Sequence, residues 1–102
     1  MPGSKQKVFL HLVWGTWNRQ PMIIPDIERT VFRLIEDQAV KLGCSVLAIN
    51  GMPDHIHLVI KMPSTISLAD LMKQVKGVSS NAINHKNGFV NRFKWQGGSV
   101  NR

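Results

Sequence analysis

The stretch "CSVLAINGMPDHIHLVIKM", residues 44–62, decides the fold. Apolar and β-branched residues fill both of its halves, and Gly-Met-Pro-Asp at 51–54 divides them. Asn50-Gly51 reads as a hairpin-like turn signal that Met52-Pro53-Asp54 prolongs. Two strands are expected, over 44–52 and 55–62. The second has an unusual feature, since His55 and His57 sit two positions apart inside an otherwise apolar run. On a strand, residues i and i+2 point to one side, so the two imidazoles share a face with Val59 and Lys61. Ile56, Leu58 and Ile60 take the other face.

Upstream, "KVFLHLVWGTW" at 7–17 is β-branched and aromatic around an internal His11 and reads as a strand. After a polar, Pro-bounded connection, Pro25-Asp26 opens a helix. Ile27, Val31, Leu34, Ile35, Val40 and Leu42 recur there at helical spacing, and Gly43 closes it. Downstream, Ser67 and Asp70 resemble a capping box, and Leu68, Leu71, Met72, Val75 and Val78 or Ser79 give the next helix its apolar face, running to about His85. A short fourth strand is expected over 92–96, broken by Gly97-Gly98. The order β-α-β-β-α-β is the α+β, ferredoxin-like split βαβ arrangement, an antiparallel sheet with both helices on one face. Its other face stays open for a ligand or a second subunit. This fold hosts many functions and assigns none by itself. One domain over 1–102 is expected, with residues 1–6 disordered or vector-derived.

The 102 residues carry 13 Lys and Arg against 6 Asp and Glu, a net charge of +7, and the isoelectric point is near 10.2. That excess points to a polyanionic partner, most often nucleic acid. The plainer reading is a basic surface kept for solubility. A chain this short buries only about 60–65% of its unfolded surface, so association would stabilise it. A single cysteine, Cys44, excludes an internal disulfide, fits a reducing cytosol and reads as a small core residue. No apolar run approaches the roughly 18–20 residues that span a bilayer, and no signal-peptide pattern opens the chain. Tyrosine is absent.

Two neutral imidazoles on one strand face can bind one divalent ion, but a third or fourth ligand must come from elsewhere. The plainer reading is a pair of half-exposed, hydrogen-bonded strand histidines. Spacing alone leaves both open.

The wider context carries more. "GMPDHIHLVI" resembles the His-hydrophobic-His motif of the HUH-type single-tyrosine transposases, small enzymes of bacterial and archaeal insertion sequences. "KVFLHLVWGTWNRQPMI" is similar to that family's first strand and following loop. "LADLMKQVKGVSSNAIN", with Lys76 and Ser79 in a K-x-x-S run, is similar to its second helix. "FKWQGG" is similar to the opening of its fourth strand. The four segments lie in the family's order and span most of residues 7–98.

The resemblance implies that His55 and His57 hold Mg or Mn, and that the ion polarises the scissile phosphate of single-stranded DNA. It also implies homodimers that recognise hairpins at insertion-sequence ends. In the family, a tyrosine on a helix after the fourth strand attacks the phosphate and forms a phosphotyrosine link, with the third metal ligand about one turn beyond it. This chain has no tyrosine and ends in "WQGGSVNR", with Ser99 where the family commonly has an aromatic. It is therefore expected to be a truncated or degenerate transposase, or one separated from its last helix. It is not expected to cleave DNA alone. Serine is a poor substitute, because an alkoxide forms far less readily than a phenolate of pKa about 10.

Arg19, Lys73, Lys76, Lys86, Arg92 and Lys94 are candidates for phosphate contacts. Trp95 is the favoured tryptophan for stacking on a base or for a dimer contact, ahead of Trp17, with Trp14 assigned to the core. Asp54, His11 and Gln96 are candidate outer partners of the histidines, Asp54 by orienting an imidazole or by capping the turn. The alternatives are a non-catalytic nucleic-acid-binding or dimerisation domain with vestigial histidines, and a different metal-dependent hydrolase.

Overall fold

A computed structural model describes residues 7–86 and 93–97. Three strands, β1 (Lys7–Gly15), β2 (Ser45–Met52) and β3 (His55–Pro63), form one antiparallel sheet in the order β1-β3-β2. Two helices, α1 (Pro25–Lys41) and α2 (Leu68–Lys86), complete the α+β fold. β3 is central because the hairpin folds it back along β2 while the α1 crossover leaves β1 on its far side. That is the split βαβ pattern.

The two sides of β3 differ sharply. Ile56, Leu58, Ile60 and Met62 are buried. They pack with Ile27, Val31, Ile35 and Ala39 of α1 and Leu71, Met72, Val75 and Ile83 of α2 in one core. Both helices therefore cover one sheet face. Burying each such aliphatic side chain contributes about 1.5–3 kcal/mol. Val40, grouped with the apolar helix positions by spacing, is instead exposed. The buried polar position on α1 is Gln38, whose Oε1 accepts from Gln74 Nε2 of α2 at 2.9 Å.

The helix ends follow their sequence signals. Gly43, at φ +90°, lets the chain reverse after α1. Gly43 N–H donates to Val40 O and Cys44 N–H to Ala39 O, the paired bonds of a Schellman ending. Ser67 Oγ accepts from Asp70 N–H at 3.0 Å and caps α2.

Two expectations are corrected. Asn50-Gly51 does not turn; both residues lie in β2, paired with His57 and Ile56, and the connection is Pro53-Asp54 alone. Gly51 is there for closeness: a Cβ on it would stand 2.8 Å from His55 O and 3.0 Å from Ile56 Cδ1. The expected fourth strand is, among the described residues, a single antiparallel bridge between Trp95 and Thr16. It is flanked by Trp17 N–H to Lys94 O and Gln96 N–H to Gly15 O. It sits beside β1, where a fourth strand belongs. Toward Lys94 the pairing stops because its partner turns away: after Gly15 the chain enters a 3-10 turn with Asn18 and Arg19 both at left-handed φ. Arg92, Gly98 and Ser99 lie outside the described residues, as do residues 1–6 and the side chain of Lys86.

Candidate functional site

The face of the sheet opposite the helices carries the histidines. Residues directly opposite in an antiparallel ladder share a face, and the register sets His57 against Val13 and Asn50, and Val59 against His11. His11, His55 and His57 thus project from the same open side. Apolar side chains surround them there, with Phe9, Val13 and Met52 all more than half exposed. Lys61 Nζ lies over the Phe9 ring at 4.9 Å.

His55 is held from behind. Its Nδ1 lies 2.7 Å from Asp54 Oδ1, and Arg19 Nε donates to Asp54 Oδ2 at 3.2 Å. The His55 bond above all holds the Asp54 carboxyl below the usual carboxylate range; burial opposes it, and the Arg19 guanidinium adds to the lowering. An ionised carboxylate only accepts, so His55 Nδ1 carries the hydrogen, and in the neutral ring Nε2 then keeps its lone pair. Arg19 Nη2 also lies 3.2 Å from His55 Nδ1. Both nitrogens are then donors, so that approach is packing around the shared carboxylate. Gly15 makes room for it: a Cβ there would stand 2.8 Å from Arg19 Cδ.

His57 adjoins His55, with ring centroids 5.0 Å apart, and its Nδ1 lies 3.1 Å from His11 Nε2. Among the described residues no group of three or more His, Cys, Asp or Glu side chains is arranged to hold an ion. Two imidazole nitrogens fill half of a four-coordinate shell or a third of the six-coordinate shell usual for Mg and Mn, whose remaining positions oxygen ligands would take. The donor chemistry fits such an ion as a half-site.

The other candidates are placed as follows. Asp54 orients His55, and its backbone O accepts from Thr16 N–H at 2.9 Å. Gln96 uses its side-chain Oε1 to accept from Asn18 N–H at 3.0 Å, stapling the strained turn that delivers Arg19. Trp95 is corrected: it is buried, its indole N–H donates to Ser79 Oγ at 2.8 Å, and its ring packs edge-on against Trp14 and Phe93. Trp17 is the exposed indole, with Lys94 Nζ over its ring at 4.5 Å. Lys73 is exposed on α2.

Lys76 has a structural task that sequence reading missed: its Nζ donates to Gln96 O at 2.7 Å, and burial pushes its pKa down. Asn84 adds a two-way clamp, donating to Phe93 O and accepting from Phe93 N–H. Lys76, Ser79 and Asn84 are spaced three and then five apart along α2, and together they dock residues 93–96. The K-x-x-S spacing and a strand over 92–96 were both visible, but not that the one docks the other.

Comparison with known proteins bears on the family and the fold. The family described as "Transposase IS200 like" matches residues 4–100. The ISDra2 transposase TnpA of Deinococcus radiodurans is 27% identical over 70 residues, which is 69% of this chain and 50% of that protein. The chain thus spans about half the length of this curated relative. A crystal structure of a transposase from Deinococcus radiodurans R1 superposes with a TM-score of 0.83 at 21% identity, over 96% of this chain and 79% of that one. A REP-associated tyrosine transposase bound to a REP hairpin superposes at 0.66 and 16% identity, over 92% of this chain and 53% of that one. These two likenesses establish the shared fold. The family match covers nearly the whole sequence, so the chain belongs to the IS200-like transposases.

Proposed function

We propose that this chain is the metal- and DNA-binding part of a single-tyrosine transposase, recognising single-stranded or hairpin DNA as a homodimer. The observation that carries the reading is the His55–Asp54 bond. It commits one histidine of a same-face pair to presenting Nε2 on the open side of the sheet. A divalent ion held by His55 and His57 would supply Lewis-acid polarisation of a phosphate. The chain's own part is to hold the two imidazoles, fix His55 through Asp54 and Arg19, and offer cations to the backbone of the nucleic acid. The superposable transposase bound to a REP hairpin supports a hairpin as the probe. The exposed apolar side chains of the open face and the small domain size support a dimer.

These 102 residues include no tyrosine, so the chain alone makes no phosphotyrosine link. The test is incubation with Mn and an end-labelled DNA hairpin. Binding without a covalent adduct or nicked product is expected; an adduct or nick would overturn this part of the reading. Binding should fall with salt at a log–log slope of about −4 if roughly six phosphates are contacted on a single strand. A slope near zero would favour a dimerisation domain with vestigial histidines.

A further inference from the structure

Each histidine of the pair faces a choice of tautomer. To offer Nε2 to an ion, an imidazole must carry its hydrogen on Nδ1, and a histidine side chain in water prefers the opposite arrangement. Something must therefore accept a hydrogen bond at each Nδ1. Asp54 does so for His55 at 2.7 Å. Among the described residues no hydrogen bond joins a carboxylate to His57. Asn50 lies directly across from it, but its Oδ1 accepts from Gly51 N–H at 2.8 Å. The atom at Nδ1 of His57 is His11 Nε2, 3.1 Å away, with the rings tilted at 38°.

We propose that His11 is a positioning residue of the half-site: its Nε2 accepts the Nδ1 hydrogen of His57 and so leaves Nε2 of His57 open beside that of His55. The proposal rests on reading His55 and His57 as a metal half-site. The geometry admits one other arrangement, with His11 Nε2 donating to His57 Nδ1. That arrangement puts the remaining hydrogen of a neutral His57 on Nε2 and closes it to any ion. The sheet provides the rest. β1 and β3 are neighbours, and a two-residue diagonal in their register brings His11 alongside His57. Hydrogen-bonded partners at the outer nitrogen are what metal-bound histidines have almost without exception. Here one partner is a carboxylate and the other an imidazole. His11 itself is exposed, and its two nitrogens divide the work: Nε2 faces His57, and the hydrogen belongs on Nδ1.

The test begins without metal. Long-range nitrogen–proton NMR spectra of the 15N-labelled full chain, at mildly alkaline pH, report which nitrogen of each ring carries hydrogen. The expected result is hydrogen on Nδ1 of His55, His57 and His11. Hydrogen on Nε2 of His57 would overturn the proposal. The second arm is Mn affinity by calorimetry. His11→Ala should weaken Mn binding about 10-fold or more, in line with removal of an outer partner. His11→Gln, whose side-chain oxygen still accepts, should restore most of the loss. Equal losses in both variants, with electron–nuclear coupling to three imidazoles, would make His11 a direct ligand and overturn the proposal. If Mn binds not even the wild-type chain, the functional reading fails, while the NMR spectra still decide the tautomer.

Discussion

The two faces of β3 are built from alternate residues of one nine-residue strand, yet they answer to different physics. Ile56, Leu58 and Ile60 are fully buried beneath both helices. They could trade places with other aliphatics of similar volume at modest cost. His55 and His57 face away, and each is held by a hydrogen bond to a specific atom, of Asp54 or of His11. Packing tolerates exchange of like for like, whereas a directed donor does not. The inner face fixes where the outer face points, because a slip of one residue in register would bury both histidines.

The contrast is broken most severely from the inside. Leu58→Ala should cost about 2–5 kcal/mol, the range for a large-to-small change at a buried site, read as a lowered midpoint in urea. His57→Ala should shift stability by only about 0.5 kcal/mol, as surface changes generally do, while removing Mn binding. If both substitutions destabilise equally, the two faces are not functionally distinct. Next in size is Ser79→Ala on α2. It leaves the buried indole N–H of Trp95 without its acceptor, and about 1–3 kcal/mol should be lost. Docking of residues 93–96 should loosen, seen as faster amide exchange at Gln96, whose N–H pairs with Gly15 O.

A smaller effect tests the support of the outer face. Gly15→Ala places a methyl against Arg19 Cδ and should displace the guanidinium from Asp54. Mn affinity should fall by a few-fold, with stability nearly unchanged; unchanged affinity would remove Arg19 from the site. The smallest concerns Cys44, whose thiol pKa burial pushes up, outweighing a lowering influence of Lys7. The folded state therefore favours the protonated thiol. Its contribution to stability is present below the ordinary thiol pKa of about 8.5 and is lost as pH rises through the folded value. Thiol-specific reagents should react slowly with the native chain and quickly in concentrated urea. Rapid labelling of the native chain would place Cys44 outside the core.

The sequence was most legible where a period is unambiguous. Alternation along residues 55–62 gave β3 and its two faces, helical spacing with Gly43 gave α1 and its ending, and Ser67 marked the start of α2. The misreadings share a cause. Asn50-Gly51 has the local chemistry of a turn, but Gly51 is required by close approach to His55 O and Ile56, contacts that only the folded sheet creates. Trp95 reads as a free aromatic until α2 supplies Ser79, 16 residues away along the chain. Lys76 likewise reads as one cation among many until Gln96 O arrives at its ammonium. The histidine pair was visible in its motif, and His11 was suspected from its strand; the atom it touches depends on the register between β1 and β3.

The divalent-metal half-site proposed for the outer face of β3 is tested by Mn titration followed by electron paramagnetic resonance, comparing the wild-type chain with His55→Ala and His57→Ala. Saturable binding with imidazole nitrogen couplings is expected in the wild type, lost in both variants, while all three chains keep the same fold by circular dichroism. Mn affinity unchanged by either substitution would show that His55 and His57 hold no ion.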